Sequence, residues 1–351
     1  MTLGILVLNF GEPAEATSEQ VVPFLERIFL TNAGLEDPSD PDAGRRRSRE
    51  LAERRAPGLI EEYREIGSSP MNAQALAQAE ALEAELLRRG HAPIVLHAFQ
   101  FTDPLVAEGV ARAREAGVTT LVGLPIYPLC GPSTTIAALN EVQKALDVLG
   151  WEVDFRGISG WHRHPLYLDL RADAIRDAAA RDGVSLAEAG SRLVFSAHGT
   201  PKKYLDEGSR YVEYVEEFCR ETASRLGIEG YELGYQNHTN RRIEWTKPDI
   251  TEVVRAVRAT RIVVDPISFM HEQSETLAEL DIELREEAEK VGLEFHRVPV
   301  PHEDARFAVV LADLVESILS EDRAASGVGL RLCRCRATGD TFCLNAPSQK
   351  A

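Results

Sequence analysis

Short apolar runs of strand length alternate with longer stretches of helical period along almost the whole chain, and this limits the architecture more than any other feature. Strand candidates fall at 3–9, 93–101, 119–127, 152–158, 192–197, 231–235, 261–269 and 294–299. Between them lie stretches rich in Ala, Glu, Leu and Arg, among them Ala73–Arg89, Leu105–Ala116, Thr135–Leu149, Leu166–Arg181 and Arg210–Leu226. Such alternation specifies an α/β chain, with parallel sheets wrapped by helices. At 351 residues the chain has room for two domains of roughly 100–200 residues each. Ser159-Gly160-Trp161-His162-Arg163-His164-Pro165 interrupts the pattern near the middle and is the candidate crossover. The expectation is two similar α/β domains with a cleft between them.

The net charge of −17, from 39 basic against 56 acidic residues, argues against a nucleic-acid partner. The start, Met1-Thr2-Leu3-Gly4-Ile5-Leu6-Val7-Leu8-Asn9, lacks a basic leader region and reads as a buried strand. No apolar run approaches the ~20 residues of a membrane helix. A cytoplasmic protein without a membrane span is expected, with peripheral membrane contact left open, as monomer or homodimer. The arginine-rich segment 36–56 reads as a solvated loop leading into a helix, or as a cleft lip that attracts carboxylates. After about residue 322 the periodicity fades, and Ala324-Ala325-Ser326-Gly327-Val328-Gly329 reads as a flexible connector.

Three segments carry chemistry. Ser196-Ala197-His198-Gly199-Thr200-Pro201 sets a histidine on a tight turn after an apolar run, at the carboxyl end of a strand, where α/β sheets bind ligands. His271-Glu272-Gln273-Ser274-Glu275 opens a stretch read as a helix, which would put His271 and Glu275 on one face. A histidine facing carboxylates can take protons from a nitrogen ligand and pass a metal onward. The third segment holds Cys333, Cys335 and Cys343 within eleven residues. Paired zinc-ribbon spacings are absent, while a [2Fe–2S] cluster takes four thiolates. Cys130, in a loop after a strand, is the candidate fourth; Cys219 reads as core.

In order and spacing these segments resemble the ferrochelatase family over nearly the whole chain. Leu8-Asn9-Phe10-Gly11-Glu12-Pro13 is similar to the motif LNLGTP. Arg54-Arg55-Ala56-Pro57 through Tyr63-Arg64-Glu65-Ile66-Gly67-Ser68-Ser69-Pro70 resembles RR-P…YR-IGG-SP. Tyr127-Pro128 with Ser133-Thr134-Thr135 resembles YPQYS-STT, and Ser196-Ala197-His198-Gly199 resembles SAHG. Tyr235-Gln236 with Trp245 and Pro248 resembles FQS…PW--P, and Phe269 through Asp281 is similar to FxSEHIETLxELD.

The resemblance implies two Rossmann-like domains, with a porphyrin held between them. Here they would span 1–150, joined by a C-terminal helix at about 303–321, and 151–302, with a cysteine-rich tail at 322–351. It implies a lyase of heme biosynthesis that inserts ferrous iron, a substrate, into the macrocycle. His198 and Glu275 would handle pyrrole protons and metal, with Glu272 on the same path. Asn9, Phe10, Ser69, Tyr127, Trp245 and Phe269 would line the porphyrin. Cys130, Cys333, Cys335 and Cys343 would hold the [2Fe–2S] cluster that some family members carry.

The chain departs from the family pattern at His271 and Gln273, where Ser and His are usual, and at Gln100, where an arginine is usual. The opening Asn9-Phe10 favours protoporphyrin IX over coproporphyrin III. Two other functions compete: a non-catalytic heme or iron–sulfur binding protein, and a cobalt or nickel chelatase acting on another tetrapyrrole.

Overall fold

The computed structural model describes residues 2–31, 41–237, 243–320, 328–333 and 340–345. In chain order the elements are β1 (Leu3–Asn9), α1 (Ser18–Thr31), α2 (Pro41–Glu65), α3 (Met71–Arg88), β2 (Ile94–Phe99), α4 (Val106–Glu115) and β3 (Thr120–Pro125). Next come α5 (Ala137–Leu149), β4 (Asp154–Ser159), α6 (Pro165–Arg181), β5 (Ser191–His198), α7 (Lys202–Asp206), α8 (Tyr211–Leu226) and β6 (Tyr231–Gln236). The chain continues with α9 (Ile250–Ala256), β7 (Arg261–Asp265), α10 (Ser274–Leu277), α11 (Arg285–Lys290), β8 (Glu294–Arg297) and α12 (Ala305–Leu319). Two short strands, β9 (Arg331–Leu332) and β10 (Thr341–Cys343), complete it.

The chain divides into two compact units. The first comprises Met1–Ile126, Ser133–Phe155 and Glu272–Ala278. Its sheet is built on β1, which pairs in parallel with β2 on one side and β3 on the other. Every residue of β1 is buried, as a central parallel strand covered on both faces requires. One core packs Leu6 and Leu8 against Val106 and Val110 of α4 and Leu139 and Val142 of α5. A second core joins α1 and α2 through Val21, Phe24, Leu59 and Tyr63.

The second unit comprises Tyr127–Pro132, Arg156–His271 and Glu279–Ala351. Its four-stranded parallel sheet runs β6-β5-β7-β8. Val194, Ile262 and Val264 from the sheet pack on Leu280, Leu284 and Ala288. The same unit holds the later residues of β4, which pair in parallel with β10; β10 in turn pairs antiparallel with β9.

All eight expected strands form, and the α/β class with parallel sheets flanked by helices stands. The run expected at 261–269 stops at Asp265, because Pro266 has no amide to continue the ladder. The arginines at 45–49 lie inside α2 rather than in a loop before a helix, since the helix already begins at Pro41. His271 and Glu275 do not share a helical face, because α10 starts at Ser274 behind the N-cap Gln273. The helix expected at about 303–321 spans Ala305–Leu319 and groups with the second unit, where Phe307 packs edge-on against Trp161 and Tyr167. Cys335, most of the connector at 324–329, and 238–240 lie outside the described residues.

Candidate functional site

In the first unit β1 ends at Asn9 and the chain turns at Gly11, whose φ of +83° suits glycine. A Cβ there would lie 2.7 Å from the Cβ of Phe99, so no larger residue fits without displacement. Asn9 is buried, and neither side-chain polar atom finds a partner among the described residues. Phe10 packs its ring 4.6 Å from that of Phe101 and 6.1 Å from Phe24.

Past the turn, Glu12 is only 4% exposed. Its carboxylate accepts hydrogen bonds from Tyr63 at 3.1 Å, from the hydroxyls of Ser69 and Ser274, and from the Ser274 amide at 3.2 Å. Burial pushes its carboxyl group up; the bonds from Ser274 and Ser69 pull it down, and the nearby charge of Glu275 raises it again. Burial and Glu12 together push the Tyr63 phenol up.

Glu272 and Glu275 belong to this unit. The Glu272 carboxylate accepts from the Thr276 hydroxyl at 2.7 Å, and its amide donates to Gln74 at 2.8 Å. Glu275 accepts from the Gln273 amide group at 2.5 Å. The first unit thus brings Ser69, Glu12, Ser274 and the two carboxylates of the 272–275 segment into one bonded chain of side chains and turns. The sequence motifs give no signal for Glu12 beyond an acid where threonine is usual.

In the second unit His198 ends β5. Its amide donates to the Ser268 hydroxyl at 2.8 Å, and its carbonyl accepts from Tyr211 at 3.0 Å. Its Nδ1 lies 2.6 Å from the Gly199 carbonyl, which can only accept, so Nδ1 carries the proton in this contact. Trp245 and Phe269 stand edge-on to the imidazole, with centroids 6.5 and 6.4 Å away. Ser196 donates to Gln236 at 2.8 Å, and Gln236 donates to Glu279 at 2.9 Å, adding a carboxylate of the same unit to the strand ends. Gln236 and Glu279 each stand in the sequence as part of a matched motif, but nothing there pairs them. Tyr127 also belongs to this unit. His271 is buried, and burial with the charge of His302 pushes its imidazole down to about 3.

Cys333 and Cys343 are buried side by side, held by the β9–β10 pairing and by the Cys333 amide donating to Thr341 at 2.8 Å. Leu344, next to Cys343, donates to the Gly160 carbonyl at 3.0 Å, and a Cβ on Gly160 would lie 3.4 Å from that of Cys130. Among the described residues no three His, Cys, Asp or Glu side chains form a group able to hold a metal ion. The thiol pair fits half of a four-thiolate set. Among the described residues no helix is long and apolar enough to cross a membrane.

Comparison with known proteins adds to this geometry. A family model described as ferrochelatase matches residues 2–319. The ferrochelatase of Synechococcus sp. (strain JA-3-3Ab) is 34% identical over 323 residues, covering 89% of this chain and 92% of that protein. That of Geotalea uraniireducens is 29% identical over 326 residues, covering 91% and 98%. Among solved structures, SirB from Bacillus subtilis with Fe3+ superposes with a TM-score of 0.54 at 10% identity, covering 90% of this chain and 95% of that one. CbiX, a terminal enzyme of siroheme biosynthesis in denitrifying bacteria, gives 0.51 at 15% identity, covering 90% and 100%. These two share the fold. With a family match over nine-tenths of its length and a relative above 30% identity, the chain belongs to the ferrochelatase family.

Proposed function

We infer that this protein inserts ferrous iron into a porphyrin, with protoporphyrin IX favoured and coproporphyrin III the competing substrate. The observation that carries the reading is the placement of His198 at the end of β5, with its Nδ1 2.6 Å from the Gly199 carbonyl and Trp245 and Phe269 edge-on to its ring. In its neutral form a ring held this way has its lone pair on Nε2 and can act as a general base. Two pyrrole protons must leave as the metal enters, and His198 would take one or hand the metal on. Glu275 and Glu272 supply carboxylates for the other proton and for passage of the metal ion. Asn9, Phe10, Ser69, Tyr127, Trp245 and Phe269 are the residues proposed to line the macrocycle. Asn9 supports this, since buried polar groups are seldom left without partners and its amide has none among the described residues.

The domain assignment is part of the same reading: residues 1–150 and 151–302 as the two substrate-holding halves, and 322–351 as a tail. In the tail, Cys333 and Cys343, with Cys335 and Cys130, are proposed to hold a [2Fe–2S] cluster, supported by the adjacency of the first two. Bound there, the cluster would join the tail to the loop that carries Cys130, within the 1–150 half. A cytoplasmic location and a monomeric or homodimeric state complete the proposal.

Replacing His198 with alanine tests the reaction. The variant is expected to bind porphyrin yet lose insertion by roughly 100-fold or more, the usual range for removing a general base. Full activity in the variant would contradict the role, and loss of heme without any insertion in the parent protein would favour a heme carrier.

A further inference from the structure

The carboxyl group of Glu12 has no part in the chemistry assigned above, yet it is among the most fully bonded polar groups of the first unit. Four donors from three residues converge on it, from Tyr63, Ser69 and twice from Ser274. An ionised carboxylate offers about four lone-pair positions, so its capacity is filled. Its backbone is held as well: the Glu12 amide donates to Asn72 at 2.9 Å, and Asn72 donates back to the Glu12 carbonyl at 2.8 Å. In the motifs these segments resemble, threonine stands at position 12 and isoleucine at 274. This chain carries an acid and a hydroxyl at those two places, and they bond each other.

Ser274 is the first residue of α10, and Glu275 is the second, so a grip on Ser274 is a grip on the backbone that carries Glu275. One residue after Leu277 a π-helical stretch at Glu279–Leu284 takes over and leads into α11, so the helical run is continued at its C-terminal end and only its start needs holding. Its start is fixed from outside, by Gln273 on one side and by Glu12 on the other.

We propose that Glu12 is a positioning residue for metal insertion: anchored by Tyr63 and Ser69, it grips the amide and hydroxyl of Ser274 and so aims Glu275. This rests on the reading of Glu275 as a proton acceptor. It differs from a merely structural role in predicting an effect on turnover that passes through Ser274.

The test uses the full chain with Glu12→Gln, Ser274→Ala and the double variant. Each is assayed for iron insertion, porphyrin binding and amide exchange at Ser274. Each single variant is expected to lose kcat by roughly 10–100-fold, with porphyrin KM within about twofold, and the double variant to be no slower than either alone. The Ser274 amide is expected to exchange faster in Glu12→Gln. Unchanged kcat in both single variants, or losses that multiply in the double, would overturn the proposal. So would unchanged exchange at Ser274, a readout that does not depend on the reaction. Absence of insertion by the parent protein would instead strike the proposed reaction itself.

Discussion

Arg171 on α6 donates to the carboxylate of Asp265 at the end of β7, and both side chains are fully buried. Burial pushes the Asp265 carboxyl up while the guanidinium opposes it. One turn earlier on α6, Tyr167 donates to the sulfur of Met270 at 3.0 Å. The helix therefore braces both ends of the 265–270 segment, which carries the Ser268 hydroxyl that receives the His198 amide. Removing one partner of a buried ion pair strands the other charge. Arg171→Met is expected to cost about 3–5 kcal/mol in chemical denaturation, and Arg171→Met with Asp265→Leu less than Arg171→Met alone. A loss below about 1 kcal/mol for the single variant would show that the pair does not brace this segment.

The buried imidazole of His271 sets an acid limit on stability. Its folded value is down at about 3, against an ordinary 6.5. The unfolded chain therefore binds a proton that the folded chain refuses. The stabilising contribution is complete above about pH 6.5 and is lost as pH falls toward 3. His271→Asn removes this titration. Between those limits the parent protein is expected to lose up to ~1.4 kcal/mol per pH unit more than the variant. Parallel stability curves for the two proteins would contradict the burial of a neutral ring.

The α/β class is legible in the sequence because central parallel strands such as β1, without a polar side chain until its last residue Asn9, stand apart from the long amphipathic helices. The two strands of the tail are not, since runs of two and three residues carry no period. His198 is legible as a histidine closing an apolar run. Glu12 is not: beside a glycine and a proline it reads as a solvated turn residue. Its burial comes from Tyr63, 51 positions away, and Ser274, 262 positions away. The start of α10 is misleading in the sequence because acidic residues at 272 and 275 suggest a first helical turn, whereas Gln273 caps the helix.

The proposed cluster predicts a structural role for the tail. Cys333→Ser is expected to lower the melting midpoint and abolish iron–sulfur absorbance. For domains of this size each ~1 kcal/mol lost moves the midpoint by roughly 2–4 °C. An unchanged midpoint would mean that the tail thiols do not support the fold.

Anaerobic insertion of ferrous iron, followed by porphyrin absorbance with protoporphyrin IX and coproporphyrin III side by side, is the decisive assay for the proposed reaction. Catalysed insertion is expected, faster with protoporphyrin IX. Insertion into neither porphyrin, with heme still bound by the protein, would contradict a chelatase and leave a heme carrier.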